Sequence, residues 1–183
     1  MGGENDRLSA LLNVPSYYSF GAGTASPTTL VERAAALGYQ YLALTDDLNV
    51  TGMVELFKAA KGRGITALIG ATVPVSIGNE AYPFVLIARS REGYATICKL
   101  ITAAVARAER AALLPELLAH NQDVVLLSGP RDGVVANLLA KRRVTELQDL
   151  LRRVGDPFHD RFYLQLFHDR YRWDGRRPRV IRN

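Results

Sequence analysis

The feature that most constrains this chain is the alternation of short apolar runs with helical segments between residues 12 and 73. The runs are too short for buried helices, and each ends in a polar or glycine-containing turn. Strands that alternate with helices favour a parallel β-sheet or barrel with right-handed crossovers. The sequence therefore predicts an α/β fold whose first strands lie at residues 11–14, 39–44 and 65–69.

Two helices are predicted between these strands. Ser26 and Pro27 indicate the start of the first, because serine caps a first turn and proline fits the first helical position. Gly38 supplies its stop. Thr51 is the predicted cap of the second helix, which ends near Gly62.

Beyond Gly70 the pattern changes. Two apolar runs flank a tight turn at residues 78–80, which predicts a hairpin. Ser90 is the predicted cap of a long helix. The remaining predicted elements are helices at 113–119, 134–140 and 144–154 and strands at 123–127 and 162–167.

Composition indicates one soluble domain. Of the 183 residues, 48% are hydrophobic and 22% charged, and no apolar run reaches the length of about 18 residues that a membrane helix needs. The polar N-terminus does not resemble a signal peptide, and the single cysteine, Cys98, excludes an internal disulfide. We therefore predict a cytoplasmic protein with a flexible N-terminus at residues 1–8, a main domain at 9–169 and a basic segment at 170–183.

The net charge of +5 resides in that last segment, which holds six arginines and one acid, Asp174. Arginines interleaved with aromatic rings can contact phosphates and stack on bases, although short charged runs are often only solvated. The predicted nucleic-acid-binding residues are Arg170, Arg172, Trp173, Arg176, Arg177, Arg179 and Arg182.

The order and spacing of several short segments resemble a known family. They are Tyr18-Ser19, residues 30–38, residues 43–46 with Asn49 and Gly52, residues 64–70, 86–88, 91–94 and 127–129, Gly133 and residues 162–164. Together they resemble the PHP (polymerase and histidinol phosphatase) domain at the N-terminus of bacterial DNA polymerase III alpha subunits and error-prone alpha-like polymerases. The resemblance implies a distorted (β/α)7 barrel whose strand ends carry histidine, carboxylate and cysteine ligands for up to three metal ions.

This chain departs from that ligand pattern at most positions. The positions that correspond to ligands are occupied by Asn13, Pro15, Ala22, Asp47, Thr72, Pro130 and Gln165. A multinuclear site needs several anionic or imidazole ligands to offset the repulsion between its cations. We therefore expect no resident metal. The two remaining interpretations of Asp46 and Asp47 are weak Mg²⁺ or Mn²⁺ binding, or a structural role in which Asp46 hydrogen-bonds backbone amides in the turn and Asp47 is solvated.

Other reactive side chains are interpreted as structural. His120, His159 and His168 are expected at helix ends or on the surface, since no ligand cluster surrounds them in the sequence. Cys98 follows an apolar helix position and is expected to be a small core residue.

Three functions follow. The leading one is a catalytically silent domain with a structural role beside polymerase or other replication and repair proteins. The second is a divergent phosphoesterase or 3′–5′ exonuclease that uses Asp46, Asp47 and Asp132. The third is a DNA-binding accessory module that uses the arginine-rich segment.

The resemblance also implies that the barrel is incomplete at the C-terminal end of this chain. The chain is then either a natural truncated product or a fragment of a polymerase. An open barrel exposes a strand edge and apolar surface, so we expect self-association or a partner-dependent fold.

Overall fold

A computed structural model describes residues 9–166 of the protein. The predicted flexible N-terminus, the basic segment and His168 lie outside these residues. Seven strands are present in the described part: β1 (Ala10–Val14), β2 (Tyr41–Leu44), β3 (Thr66–Ile77), β4 (Glu80–Ala88), β5 (Ala112–Leu113), β6 (Val124–Leu127) and β7 (Phe162–Tyr163). The helices there are α1 (Pro27–Ala36), α2 (Met53–Ala60), α3 (Arg91–Val105), α4 (Leu114–Ala119), α5 (Val134–Ala140) and α6 (Val144–Phe158).

The strands form one mixed sheet in the order β1-β2-β3-β4-β6-β7, with β5 beside the distal half of β3. Pairing is parallel from β1 to β3 and between β6 and β7, as βαβ crossovers require. The β3–β4 hairpin reverses the chain, so β4 runs antiparallel to both of its neighbours. The predicted incomplete α/β barrel and its hairpin are thus confirmed, whereas the antiparallel pairing of β4 with β6 was not predicted.

The strand β3 is longer than predicted because it continues through Gly70. A side chain at this position would place its Cβ 2.6 Å from the Leu86 carbonyl oxygen and 2.8 Å from Thr45 Cγ2. Gly70 therefore permits a close approach between strands and does not end one. The first half of β3 pairs with β2 and the second half pairs with β4, which couples the parallel part of the sheet to the hairpin.

Hydrophobic residues on opposite faces of the sheet have different partners. The outer face packs against the helices in two clusters, one under α1 and α2 and a larger one that includes residues of α3 to α6. The inner face carries a small cluster of Ala43, Val85, Ile87 and Leu127. Residues of both β1 and β7 line the same inner groove, about 710 Å³ in volume, so the sheet curls into an open half-barrel.

The residues that cap the helix N-termini can be compared with the predicted caps. Ser26 Oγ accepts a hydrogen bond from the Thr29 amide at 3.1 Å, and Ser90 Oγ accepts from the Glu92 amide at 3.1 Å, so both predictions are confirmed. The Thr51 cap is wrong, since α2 is capped by Gly52 without a side-chain bond. The Thr51 amide instead donates to Asn49 Oδ1, and a Cβ on Gly52 would lie 2.6 Å from Leu44 Cδ2.

The C-terminal elements differ slightly from prediction. The helix α6 extends past Val154 to Phe158, and both of these residues are buried. The strand β7 is only two residues long in the described part, and residues 164–166 are irregular. Among the described helices, none combines the length and apolar character that crossing a bilayer requires.

Candidate functional site

Several sequence-predicted positions meet at one edge of the half-barrel. Asn13 lies near the end of β1, Asp46 and Asp47 follow β2, Thr72 lies within β3, and Gln165 follows β7. Thr72 pairs with Asp47 in an isolated parallel bridge, and the Thr72 amide donates to the Asp46 carbonyl at 3.0 Å. The carboxyl ends of the parallel strands are where such folds place their chemistry, so this edge is the candidate site.

Neutral side chains form a hydrogen-bonded chain across this edge. Thr45 Oγ1 donates to Asn13 Oδ1 at 2.9 Å, and Asn13 Nδ2 reaches Gln165 Oε1 at 3.4 Å. The Thr72 hydroxyl donates to the Thr45 carbonyl at 3.0 Å. The backbone amide of Gln165 donates to Ser128 Oγ at 2.9 Å. These hydrogen bonds join β1 to the segment after β7. The side chains of Asn13, Thr72 and Gln165 are therefore bonded to other groups of the same protein.

Asp46 is the buried carboxylate of the site, with 1% of its surface exposed. Its Oδ1 accepts from the Ser16 amide at 2.7 Å and from Ser19 Oγ at 2.6 Å, while its Oδ2 accepts from Ser16 Oγ at 2.8 Å. Hydrogen bonds to a charged acceptor are the strong ones in proteins. Asp46 therefore fixes the loop after β1 to the end of β2.

Asp47 has a different environment, because its side chain is exposed. Partial desolvation raises the pKa of its carboxyl, and repulsion from Asp46 and then Asp132 raises it further. Its backbone amide donates to Ser19 Oγ at 3.0 Å. Two neighbouring residues thus separate into a buried structural carboxylate and a surface carboxylate.

The remaining ligand-equivalent positions lack a side chain that can bind a cation. Pro15 precedes the loop, Ala22 is exposed in a turn, and the Pro130 carbonyl accepts from the Gly133 amide at 2.7 Å. Among residues 9–166, no group of three or more His, Cys, Asp or Glu side chains lies close enough to hold a metal ion. The residues described do not fit the multinuclear site that the resemblance implies.

The other reactive residues lie away from this edge. His120 ends α4, and its amide donates to the Glu116 carbonyl, whereas the exposed His159 ends α6. Cys98 is partly buried on α3 and belongs to none of the core clusters, so the expectation of a core residue is wrong. The helix instead turns Ile97 and Leu100 inward.

Sequence reasoning missed Ser16 and Ser19, the two buried serines that bind Asp46. The available signal is their spacing of three residues in a short loop before the first helix, which lets one carboxylate accept from both. Local patterns could not identify the acceptor, because it lies 27 residues away from Ser19.

Comparisons with known proteins agree with the resemblance. The PHP domain family matches residues 12–168. The chain is 33% identical over 162 residues to DNA polymerase III subunit alpha of Escherichia coli, an alignment that covers 85% of this chain and 14% of the relative. It is also 33% identical to an error-prone DNA polymerase of Symbiobacterium thermophilum, with 94% of this chain and 17% of the relative covered.

One solved structure with a similar backbone is an amidohydrolase from Chromobacterium violaceum, with a TM-score of 0.42 and 24% identity. That alignment covers 61% of this chain and 49% of the amidohydrolase chain. The family match extends over most of the chain, from β1 to beyond β7, and includes the whole candidate site. The chain belongs to the PHP domain family.

Proposed function

We propose that this chain is a catalytically silent PHP domain with a structural and interaction role in an assembly for DNA replication or repair synthesis. The proposal extends the homology to DNA polymerase III alpha subunits and error-prone DNA polymerases. Because the chain corresponds to only 14% of the length of the Escherichia coli relative, polymerisation itself is not part of the proposal.

The observation that carries the proposal is the engagement of Asp46. Both of its oxygens accept hydrogen bonds from donors that the protein supplies. Three of the four lone pairs of the Asp46 carboxylate accept these bonds, so a metal ion would have to use the remaining pair on Oδ2 or displace Ser16 or Ser19, and the described surroundings offer only a few weak oxygen ligands in return. Hydroxyl and amide oxygens such as those of Thr72 and Gln165 neutralise no charge, so they do not favour closely spaced divalent ions.

The second support is the neutral chain from Gln165 through Asn13 to Thr45. Phosphoester hydrolysis by metal ions needs a coordinated water whose pKa the cation lowers. Neutral side chains that bind one another can hold strand ends together, but they supply neither a general base nor a charge to the water. The geometry therefore favours a role in cohesion of the half-barrel over hydrolysis.

The partners proposed are polymerase or other replication proteins. Relatives with the same domain are polymerases, and the open half-barrel has an apolar inner groove and unpaired strand edges in its described part. Such surfaces favour association with another protein or with a second copy of the chain.

A nuclease assay tests the proposal. The purified chain is incubated with a 3′-labelled oligonucleotide and Mn²⁺, Mg²⁺ or Zn²⁺, and we expect no metal-dependent shortening. The matched variants are Asp46→Ala at the site and Asp149→Ala on the exposed face of α6. Shortening that Asp46→Ala abolishes and Asp149→Ala retains would refute catalytic silence.

The same assay addresses the divergent-enzyme alternative. Asp47 and Asp132 are close enough for repulsion between them to affect the pKa of Asp47, which is the one observation in favour of a relocated carboxylate pair. If Asp47→Asn and Asp132→Asn each removed a metal-dependent activity, the exonuclease alternative would replace the proposal.

A further inference from the structure

The loop between β1 and α1 buries polar side chains and exposes aromatic ones, the reverse of the usual arrangement. Its serines, Ser16 and Ser19, are buried, with 0% and 1% of their surfaces exposed. Two of its three aromatic residues point outward, since Tyr17 is 45% exposed and Phe20 is 98% exposed, whereas Tyr18 is half-buried. No other large hydrophobic side chain in residues 9–166 is as exposed as Phe20. Burial of hydrophobic area cannot select this arrangement, because it would favour the opposite one.

The inversion is held by the buried carboxylate. Asp46 accepts from both serines, and Ser16 Oγ also accepts from the Tyr18 amide at 3.2 Å. From the other side, the Asn49 side-chain amide donates to the Tyr18 carbonyl at 3.3 Å. The loop backbone is thus held at several points, and its aromatic residues are presented on an ordered support.

The loop also closes tightly on itself. The amides of Ala22 and Gly23 both donate to the Ser19 carbonyl at 3.1 Å, and the Tyr17 amide donates to the Ala25 carbonyl at 2.9 Å. A Cβ at Gly23 would lie 2.1 Å from the Ser16 carbonyl oxygen. Phe20 projects from this closed turn, so the binding of a ligand to Phe20 requires little further ordering of the loop.

Carboxylates adjoin the loop. The Tyr17 hydroxyl donates to Glu55 Oε2 at 3.1 Å, and the Asp47 amide donates to Ser19 Oγ. Repulsion from Asp132 is the smallest of the three named causes that raise the pKa of the Asp47 carboxyl. Surface carboxylates repel a phosphate backbone and attract lysine and arginine side chains, which argues against DNA as the ligand of this loop.

We propose that the loop of residues 16–23 is a protein-docking surface, in which Phe20 packs against an apolar segment of a partner that also carries lysine or arginine. Aromatic residues, phenylalanine included, are enriched at protein interfaces, and a few well-packed residues contribute most of the binding energy there. The inference deepens the proposed function and rests on it, because it assigns one face of the domain to the interaction role.

The test uses the full chain and a displayed library of random short peptides as the probe. Peptides selected on the wild-type chain are synthesised, and their affinities are measured by fluorescence polarisation. We expect enrichment of peptides that combine apolar residues with lysine or arginine. Phe20→Ser should weaken their binding by about 10-fold or more, as truncation of a central aromatic residue does.

Phe57→Ser is the matched control, since Phe57 is a 48% exposed aromatic residue on α2, outside the loop. It should change peptide affinity less than about twofold. Circular dichroism confirms that both variants fold. Failure to enrich peptides, peptides that bind Phe20→Ser as well as wild type, or a single-stranded oligonucleotide whose affinity falls with Phe20→Ser would overturn the proposal.

The nuclease assay distinguishes this failure from failure of the proposed function. Loss of the docking proposal with no metal-dependent cleavage leaves catalytic silence intact. Metal-dependent cleavage that Asp46→Ala abolishes refutes the silence on which the docking proposal rests, whichever peptides bind.

Discussion

Removal of the Asp46 carboxylate should destabilise the protein strongly. In Asp46→Ala the Ser16 amide and the hydroxyls of Ser16 and Ser19 lose their acceptor in a buried site. A hydrogen bond to a charged group contributes about 1.5–3 kcal/mol. Because the loop can relax and admit water, we expect the free energy of unfolding to fall by about 3–5 kcal/mol and not by the full sum.

Urea unfolding measured by circular dichroism checks this value. Ser19→Ala removes one of the three bonds to Asp46 and also the acceptor of the Asp47 amide, and it should cost about 1.5–3 kcal/mol. Asp149→Ala is the control, since its pairing with Arg152 is exposed and should contribute less than about 0.5 kcal/mol. Hydrogen exchange at the Ser16 and Asp47 amides should accelerate in Asp46→Ala. A loss below about 1 kcal/mol, or unchanged exchange at these amides, would show that Asp46 does not anchor the loop.

Three other predictions follow from the described contacts and from the sequence. Hydrogen bonds from Lys141, Tyr82 and Arg143 lower the pKa of Glu80 from 4.5 to about 2, so the stability that the ionised Glu80 contributes is complete above pH 4.5 and is lost as pH falls toward 2. Glu80→Gln should therefore reduce the pH dependence of the free energy of unfolding over that range, and an unchanged pH dependence would contradict this prediction. Gly129→Ala should destabilise the protein by more than about 3 kcal/mol in urea titrations, because its Cβ would lie 1.9 Å from the Pro83 carbonyl oxygen and its φ is +92°. Gly155→Ala, where no atom lies within 4 Å of the added Cβ on α6, should stabilise it by about 0.5–1 kcal/mol, and equal effects of the two variants would contradict this prediction. Deletion of residues 170–183 should abolish salt-dependent binding to single-stranded DNA, and unchanged affinity would exclude the arginine-rich segment as its site.

The sequence predicted the parts of the fold that depend on neighbours along the chain. The caps at Ser26 and Ser90 form because a serine hydroxyl reaches an amide two or three residues ahead. The hairpin between β3 and β4 forms at its predicted turn, where Gly78 has a φ of +63°. Such interactions are local, so short windows of sequence contain their cause.

Contacts between distant segments were the ones that sequence could not predict. The sequence predicts a third strand that ends at residue 69, whereas Gly70 continues the strand and admits the Leu86 carbonyl from its neighbour. The acceptor of Ser16 lies 30 residues away, and Asn13 meets Gln165 across 152 residues. The residue types at the strand ends indicated weak metal ligands, whereas their mutual hydrogen bonds depend on how the sheet curls.

The most direct test of the account is a Mn²⁺ titration of the full chain followed by electron paramagnetic resonance of the free ion. We expect no site that saturates below about 1 mM Mn²⁺, because the buried Asp46 carboxylate is engaged by Ser16 and Ser19. Saturation at two or more tightly held ions per chain, lost in Asp46→Asn, would contradict it.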